Sequence, residues 1–254
     1  MKIISLVENT SKKGGIKSEH GLSLYIEACG KRILFDMGQG EIFIENAKEL
    51  GVDLSAVDIA IISHGHYDHG GGLEAFLNIN ENAPVYIRKN SFLPYYNGER
   101  YIGLDTAMAG HRRLIYTDGE QKIGEGLTLC TIDVTPDATG RLTERRGNSF
   151  VPDSFDHEQY LLIEEGGKRV LISGCSHKGI IAIAEHFKPD TLVGGFHFMD
   201  MALDGELIER GERLNLLDCD FYTCHCTGES QYEFLTNYIK RISYLSAGDE
   251  IAID

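Results

Sequence analysis

Within ten residues, Ser63-His64-Gly65-His66-Tyr67-Asp68-His69-Gly70-Gly71-Gly72, the chain sets three histidines and an aspartate close together. Neutral imidazole nitrogen and carboxylate oxygen are natural donors to a zinc-like ion. Residues two apart on an extended segment project to the same side, so His64 and His66 can converge on one ion. Asp68 and His69 follow one step later, where the chain can turn toward a second ion. The whole chain holds 10 histidines in 254 residues, so three in six positions beside an aspartate are not a chance polar loop. Such a cluster suits one zinc-like divalent ion or two. Ions of this kind activate water as hydroxide and polarise a carbonyl or phosphoryl group. Asp68 could hold an ion and also orient the nucleophile or take its proton.

A cluster of donors needs a rigid support. Residues 57–62, just before the motif, are almost continuously apolar, the pattern of a strand buried on both faces. The glycines after it permit a tight turn into a helix that starts near Leu73. Short, partly alternating runs predict strands at 3–7, 22–28, 32–35, 84–87, 127–132, 160–163, 169–172, 191–193 and 221–223. Helical spacing covers 41–50, where Gly51 ends the run, and then 178–187, 207–217 and 231–239. Residues 88–126 are irregular and rich in tyrosine. Strand-rich and helical stretches occur in both halves, which fits two packed sheets with helices outside. Cys29 and Cys130 lie in apolar runs and read as small core residues.

His64-Gly65-His66-Tyr67-Asp68-His69 resembles the His-x-His-x-Asp-His signature of the metallo-β-lactamase superfamily. Ile33-Leu34-Phe35-Asp36-Met37-Gly38 is similar to the strand and turn that underlie the metal site there. Four further segments resemble the dihydropterin synthase-like branch: His20-Gly21-Leu22-Ser23, Ser173-Gly174-Cys175-Ser176-His177-Lys178-Gly179-Ile180, Gly194-Gly195-Phe196-His197 and His225-Cys226-Thr227-Gly228. The resemblance implies an α/β fold, a four-layer αβ/βα sandwich over residues 1–254 as a single domain. Residues 88–126 and 135–155 would then be insertions able to cap a substrate.

It also implies one or two divalent ions, zinc foremost with iron or manganese as alternatives, and the rest of a two-metal site: a further histidine, a bridging acid or thiol, and a last histidine. Cys175 stands where the bridging ligand would be, and a thiolate is a good zinc ligand. His177, two residues on, and His157, in Asp156-His157-Glu158-Gln159, compete for the further histidine. His225 fits the last one. His197 suggests a substrate contact and a candidate proton donor. Cys224 and Cys226 alternate with His225 and so read as structural residues turned away from it. His20, His111 and His186 lie outside the ligand motifs. Arg141, Arg145 and Arg146 cluster in an acidic chain and could pair with a phosphate or carboxylate.

The formal net charge of −15 argues against nucleic acid and against anionic membrane surfaces as partners. No apolar run approaches the roughly 18 residues needed to span a bilayer. The N-terminus reaches Glu8 too soon for a secretory signal, which makes a cytoplasmic location the expectation. The leading reading is a metal-dependent hydrolase of a small anionic metabolite, an ester, lactone or phosphoester, that uses a metal-activated hydroxide. The alternatives are a transferase of the dihydropterin/ribofuranosylaminobenzene phosphate synthase type and a non-enzymatic metal-binding or ligand-sensing module. Formation of a homo-oligomer is left open.

Overall fold

The computed structural model describes residues 1–136 and 141–254; residues 137–140, within the second anticipated insertion, lie outside the described residues. The chain begins β1 (Lys2–Val7), β2 (Ser23–Ala28), β3 (Lys31–Phe35), α1 (Ile42–Glu49), β4 (Ile59–Ile61), α2 (Tyr67–Gly70), α3 (Leu73–Ile79) and β5 (Val85–Arg88). It continues with β6 (Tyr95–Asn97), β7 (Arg100–Tyr101), β8 (Leu114–Thr117), β9 (Gln121–Gly124), β10 (Leu127–Cys130), β11 (Leu142–Arg146), β12 (Ser149–Pro152), β13 (Tyr160–Glu165) and β14 (Lys168–Ile172). The last elements are α4 (Ile180–Phe187), β15 (Thr191–Gly194), α5 (Gly205–Asn215), β16 (Asp220–Thr223), α6 (Glu229–Leu235), β17 (Ile242–Tyr244) and β18 (Glu250–Ala252). No helix among the described residues is long and apolar enough to cross a membrane.

Two seven-stranded sheets carry the fold, in the orders β18-β1-β2-β3-β4-β5-β8 and β17-β16-β15-β14-β13-β10-β9. In the first, the pairings from β18 to β3 are antiparallel and those from β3 to β8 are parallel. In the second, the pairings from β9 to β14 are antiparallel and those from β14 to β17 are parallel.

The period-2 geometry of a strand explains why the central strands are apolar throughout. Ile33, Phe35, Ile59 and Ile61 of the first sheet meet Leu161, Ile163, Val170 and Ile172 of the second in the inner layer. The residues between them face outward. Leu34, Ala60 and Ile62 pack under Phe43 and Ala47 of α1 and Leu73 and Phe76 of α3. Leu162, Leu171 and Leu192 pack under α4, α5 and α6 through Ile183, Leu207 and Leu235. Three apolar layers between four layers of structure make the αβ/βα sandwich that the sequence motif implies.

Parallel register aligns the strand ends that matter. Phe35 pairs with Ile61, so Asp36 and Ser63 leave the first sheet side by side. Ile172 pairs with Val193 and Val193 with Tyr222, so the segments leading to Cys175, His197 and His225 leave one edge of the second. Gln159, buried between the sheets, ties the edges together. Its backbone N–H donates to Ser63 O at 2.8 Å, and its Nε2 donates to Ile62 O at 2.8 Å.

The stretch read as irregular is not structureless. Residues 95–101 form β6 and β7, which pair with β11 and β12 in a third sheet of order β12-β11-β6-β7. The two anticipated insertions are thus joined: Tyr95 pairs with Glu144 and Asn97 with Leu142.

Phe35 is fully buried in the inner layer. Phe35→Ala should lower the unfolding free energy by roughly 3–5 kcal/mol, read from urea denaturation. A loss below about 1 kcal/mol, the range of surface substitutions, would mean that the inner layer does not carry the stability argued here.

Candidate metal centre

The support begins at Asp36, where β3 ends and the backbone turns to a left-handed φ of 60°. Its carboxylate accepts from Ser63 N, Ser63 Oγ and His69 Nδ1, each at 2.7 Å. The Ser63 hydroxyl hydrogen is therefore committed to Asp36, and Ser63 Oγ is left to accept from His64 Nδ1 at 2.9 Å. On the other side of the cleft, His225 Nδ1 donates to Asn9 Oδ1 at 2.8 Å, and His225 N donates to Glu8 Oε1 at 2.6 Å. Three imidazoles thus have Nδ1 held by an acceptor and Nε2 turned inward as a lone pair.

Those lone pairs meet. His64 Nε2 lies 3.0 Å from His66 Nδ1 and 3.3 Å from His177 Nε2. His69 Nε2 lies 3.2 Å from His225 Nε2 and 3.2 Å from Cys175 Sγ. Asp68 Oδ2 approaches His225 Nε2 at 3.4 Å and His69 Nε2 at 3.8 Å. The result is one donor set of His64, His66 and His177, and another around Asp68, His69 and His225. Cys175 lies between them, its thiol within 4.8 Å of donors on both His64 and His69.

Burial pushes the His64 and His177 imidazoles well below their usual range, with neighbouring histidines adding to the shift. It takes His66 down to about 3 and His225 to about 4. These four rings are neutral near pH 7, the form that coordinates metal. His69 differs: burial lowers it, but the charges of Asp36 and Asp68 outweigh burial and raise it. Burial opposes ionisation of Asp68, yet His69, His20 and His225 hold its carboxyl well below the usual carboxylate range. Burial and the neighbouring Cys226 push the Cys175 thiol up.

Each of these close nitrogen contacts needs a proton or a metal ion between the two ring nitrogens, and a metal ion can take that place. Nitrogen donors on a tetrahedral zinc at bonds of 2.0–2.1 Å stand about 3.3 Å apart, close to the separations here. The residues fit one or two divalent ions by both spacing and chemistry.

His157 is engaged elsewhere. Its Nδ1 accepts from Gly65 N at 2.8 Å, its Nε2 faces Asp153 Oδ2 at 3.1 Å, and its ring stacks on Tyr95. It braces the His64–His66 loop, while His177 takes the place beside His64. Gly174 allows this closeness, because a β-carbon there would collide with Ser63 Oγ. His197 lies on the cavity wall, its ring centroid 4.4 Å from that of His177.

Both donor sets face a cavity of about 230 Å³. Asn97, Arg100 and Leu142 of the third sheet line it together with Asp68 and His225. The Arg100 guanidinium sits 4.9 Å from the centre of the Tyr67 ring. A second cavity of about 440 Å³ shares Asn97, Leu142, His197 and Asp200 with the first and reaches Arg141. Arg145 and Arg146 line neither. Arg145 Nε donates to Gly147 O, and Arg146 is paired with Glu144.

Three contributors escaped the sequence reading. His20 Nε2 reaches Asp68 Oδ2 at 3.2 Å because Leu22 N donates to Asp68 O at 3.1 Å, a pairing 46 positions long. Arg100 was hidden in the tyrosine-rich stretch. Cys226 was read as turned away by alternation, but His225 adopts φ 50° and opens a 3-10 turn over His225–Thr227. The left-handed step breaks the alternation and brings Cys226 to the cavity. Cys224 is buried in the inner layer.

Comparison with known proteins agrees with this geometry. Residues 18–222 match the model of the metallo-beta-lactamase superfamily. An uncharacterized protein of Methanocaldococcus jannaschii is 32% identical over 88% of this chain and 89% of its own length. The 7,8-dihydropterin-6-methyl-4-(beta-D-ribofuranosyl)-aminobenzene-5'-phosphate synthase of the same organism is 28% identical over 98% of this chain and 95% of its own. Among solved structures, a metal-dependent hydrolase of the beta-lactamase superfamily superimposes with a TM-score of 0.86 at 31% identity, over 100% of this chain and 99% of that one. Zinc-bound PqqB from Methylobacterium extorquens, at 12% identity and a TM-score of 0.63, shares the fold over the full length of both.

Two outcomes follow from the anchoring. Asp36→Asn, which removes the charge under His69 at nearly constant shape, should weaken zinc binding roughly 10- to 100-fold in competition with a chelator. Unchanged affinity would remove Asp36 from the site. The metal-free protein should also be acid-labile. An unfolded histidine takes up a proton near its usual value of 6.5, whereas His66 and His225 resist until about 3 and about 4. The unfolded state therefore binds more protons between those limits, and stability falls as pH drops through that window. His69, raised, works the other way. Urea midpoints of metal-free protein at pH 7.5 and pH 5 test the sign, and a higher midpoint at pH 5 would refute it.

Proposed function

The chain belongs to the metallo-beta-lactamase superfamily, and on that premise we propose that it is a metal-dependent hydrolase of a small anionic metabolite, an ester, lactone or phosphoester. The observation that carries this reading is the convergence of two donor sets on one cavity whose lining also includes Arg100. The proposed ligands are His64, His66 and His177 for one ion and Asp68, His69 and His225 for the other, with Cys175 between; zinc is the foremost candidate. Such ions, when bound, bring the pKa of water toward neutrality and polarise a carbonyl or phosphoryl oxygen.

The chain's own groups supply the rest. Asp68 Oδ2 is placed to orient the attacking water and take its proton. His197, on the same cavity wall as His177, is the candidate proton donor to the leaving group. Arg100 offers a forked donor to a phosphate or carboxylate, and the third sheet caps the substrate. The cavity beside the donors is smaller than a drug-sized pocket, which suits a metabolite rather than a polymer. Similarity to the metal-dependent hydrolase supports hydrolysis.

A second reading, a transferase of the dihydropterin/ribofuranosylaminobenzene phosphate synthase type, is supported by the near full-length similarity to that synthase. The neighbouring cavity, with Phe196, Phe198 and Arg141, could take an aromatic phosphate.

Incubating zinc-loaded protein with p-nitrophenyl phosphate, p-nitrophenyl acetate and simple lactones tests the first reading; a dihydropterin diphosphate with a ribosylaminobenzene phosphate tests the second. Hydrolysis of none, together with coupled product in the last mixture, would transfer the assignment. With a phosphoester that turns over, Arg100→Ala should raise KM roughly 10- to 100-fold and leave kcat little changed, the effect of losing one charged hydrogen bond. Asp68→Ala should abolish turnover while the circular dichroism spectrum is kept. Full activity of that variant would remove Asp68 from the mechanism.

A further inference from the structure

Cys226 is placed as a donor and not as a packing residue. It leaves β16 through the 3-10 turn at His225–Thr227 and lines the cavity with Cys175 and His225. Donor atoms of Cys175, His225 and Cys226 all lie within 4.8 Å of one another, and all three residues are buried. Cys226 Sγ also donates to Cys175 O at 3.4 Å, which holds the two thiols on the same side. Room for the sulfur is built in: a β-carbon at Gly195 would collide with Cys226 Sγ, so the end of β15 accommodates the thiol only because it carries glycine there. Both cysteines are free thiols. A cysteine that merely filled space would be ringed by apolar side chains, as Cys224 is in the inner layer. Cys226 instead faces a thiol and an imidazole.

We propose that Cys226 is a second sulfur donor which, with Cys175, adds two thiolates beside His225 to the ion that Asp68, His69 and His225 would hold, a position suited to a soft or borderline divalent ion. This rests on the reading that the centre holds metal. Binding releases one proton from each thiol to solvent as the two sulfur–metal bonds form. Two sulfurs favour zinc, cobalt or ferrous iron over magnesium, calcium or manganese, whose preferred donors are oxygens. The position of His64, His66 and His177 has no sulfur of its own, so the two ions would differ in softness.

Cobalt(II) added to the metal-free full-length protein reads this directly, because thiolate-to-cobalt charge transfer absorbs in the near ultraviolet and imidazole ligation does not. Per cobalt bound, Cys226→Ala and Cys175→Ala should each reduce that band to about half, and the double variant should lose it. Zinc X-ray absorption should give sulfur at about 2.3 Å, with fewer sulfurs per zinc in Cys226→Ser, a variant that keeps the side-chain volume if the alanine variant misfolds. A band unchanged by Cys226→Ala and abolished by Cys175→Ala alone would overturn the second thiolate and leave the metal reading intact. No uptake of cobalt or zinc by the unsubstituted protein would overturn both.

Discussion

The geometry of the cleft hangs from a carboxylate with no access to water. Asp36 is fully buried, and three hydrogen bonds converge on it from Ser63 and His69. A buried carboxylate without such partners would be strongly destabilising, so the protein must keep all three. Through them one residue fixes where β4 ends, which tautomer His69 adopts, and, by way of Ser63, which nitrogen of His64 faces the cleft. The left-handed backbone at Asp36 aims the carboxylate between the two sheets. Conformations of that kind recur at Ser176, His197 and His225, all near the ends of strands that feed the same cleft. Strained backbone persists where surrounding structure over-determines it, and here parallel pairing on both sides does so.

What the support holds in place is an arrangement that is unfavourable by itself. Desolvation keeps most of the imidazoles uncharged, which removes charge repulsion but leaves buried ring nitrogens, His66 Nε2 and His177 Nδ1, without a hydrogen-bond partner. Unsatisfied buried polar groups of this sort cost about 1–3 kcal/mol each. Sheet packing carries that cost, because the inner apolar layer ends directly beneath the cleft. The candidate ligands are therefore preorganised: the reorganisation that a flexible loop would undergo on binding an ion has already taken place during folding.

How much of this was readable from the amino-acid order depended on distance along the chain. The central strands were legible because burial on both faces makes them apolar without interruption, but periodicity alone fits other α/β arrangements and the sandwich came from the resemblance of the histidine motif. The motif at His64–His69 was legible because its donors are adjacent. The third sheet was not, since β6 pairs with β11 across more than forty positions and neither run is apolar enough to announce itself. His20 was missed for the same reason: its partner Asp68 is reached through a backbone pairing. Cys226 failed for a conformational reason, because alternation holds only while the chain stays extended and His225 does not. Telling His157 from His177 needed three dimensions; both are buried beside the motif, but His157 is engaged by Gly65 N, Asp153 and the Tyr95 ring while His177 faces His64. Of the three arginines in the anticipated loop, strand pairing sends Arg145 and Arg146 back onto their own hairpin.

The strand orders of the two sheets also correspond. Counted from β18, the first sheet has three antiparallel pairings and then three parallel ones; counted from β9, the second has the same. The correspondence equates β3 with β14, β4 with β15 and β5 with β16. Asp36 after β3 is then the counterpart of the segment of Cys175 after β14, and the histidine motif after β4 that of His197 after β15. The two sheets follow one strand plan and meet face to face through the inner layer. The cleft lies where matching strand ends of both sheets come together, so its donors are drawn from both: Asp68 and His69 after β4, Cys175 after β14 and His225 after β16.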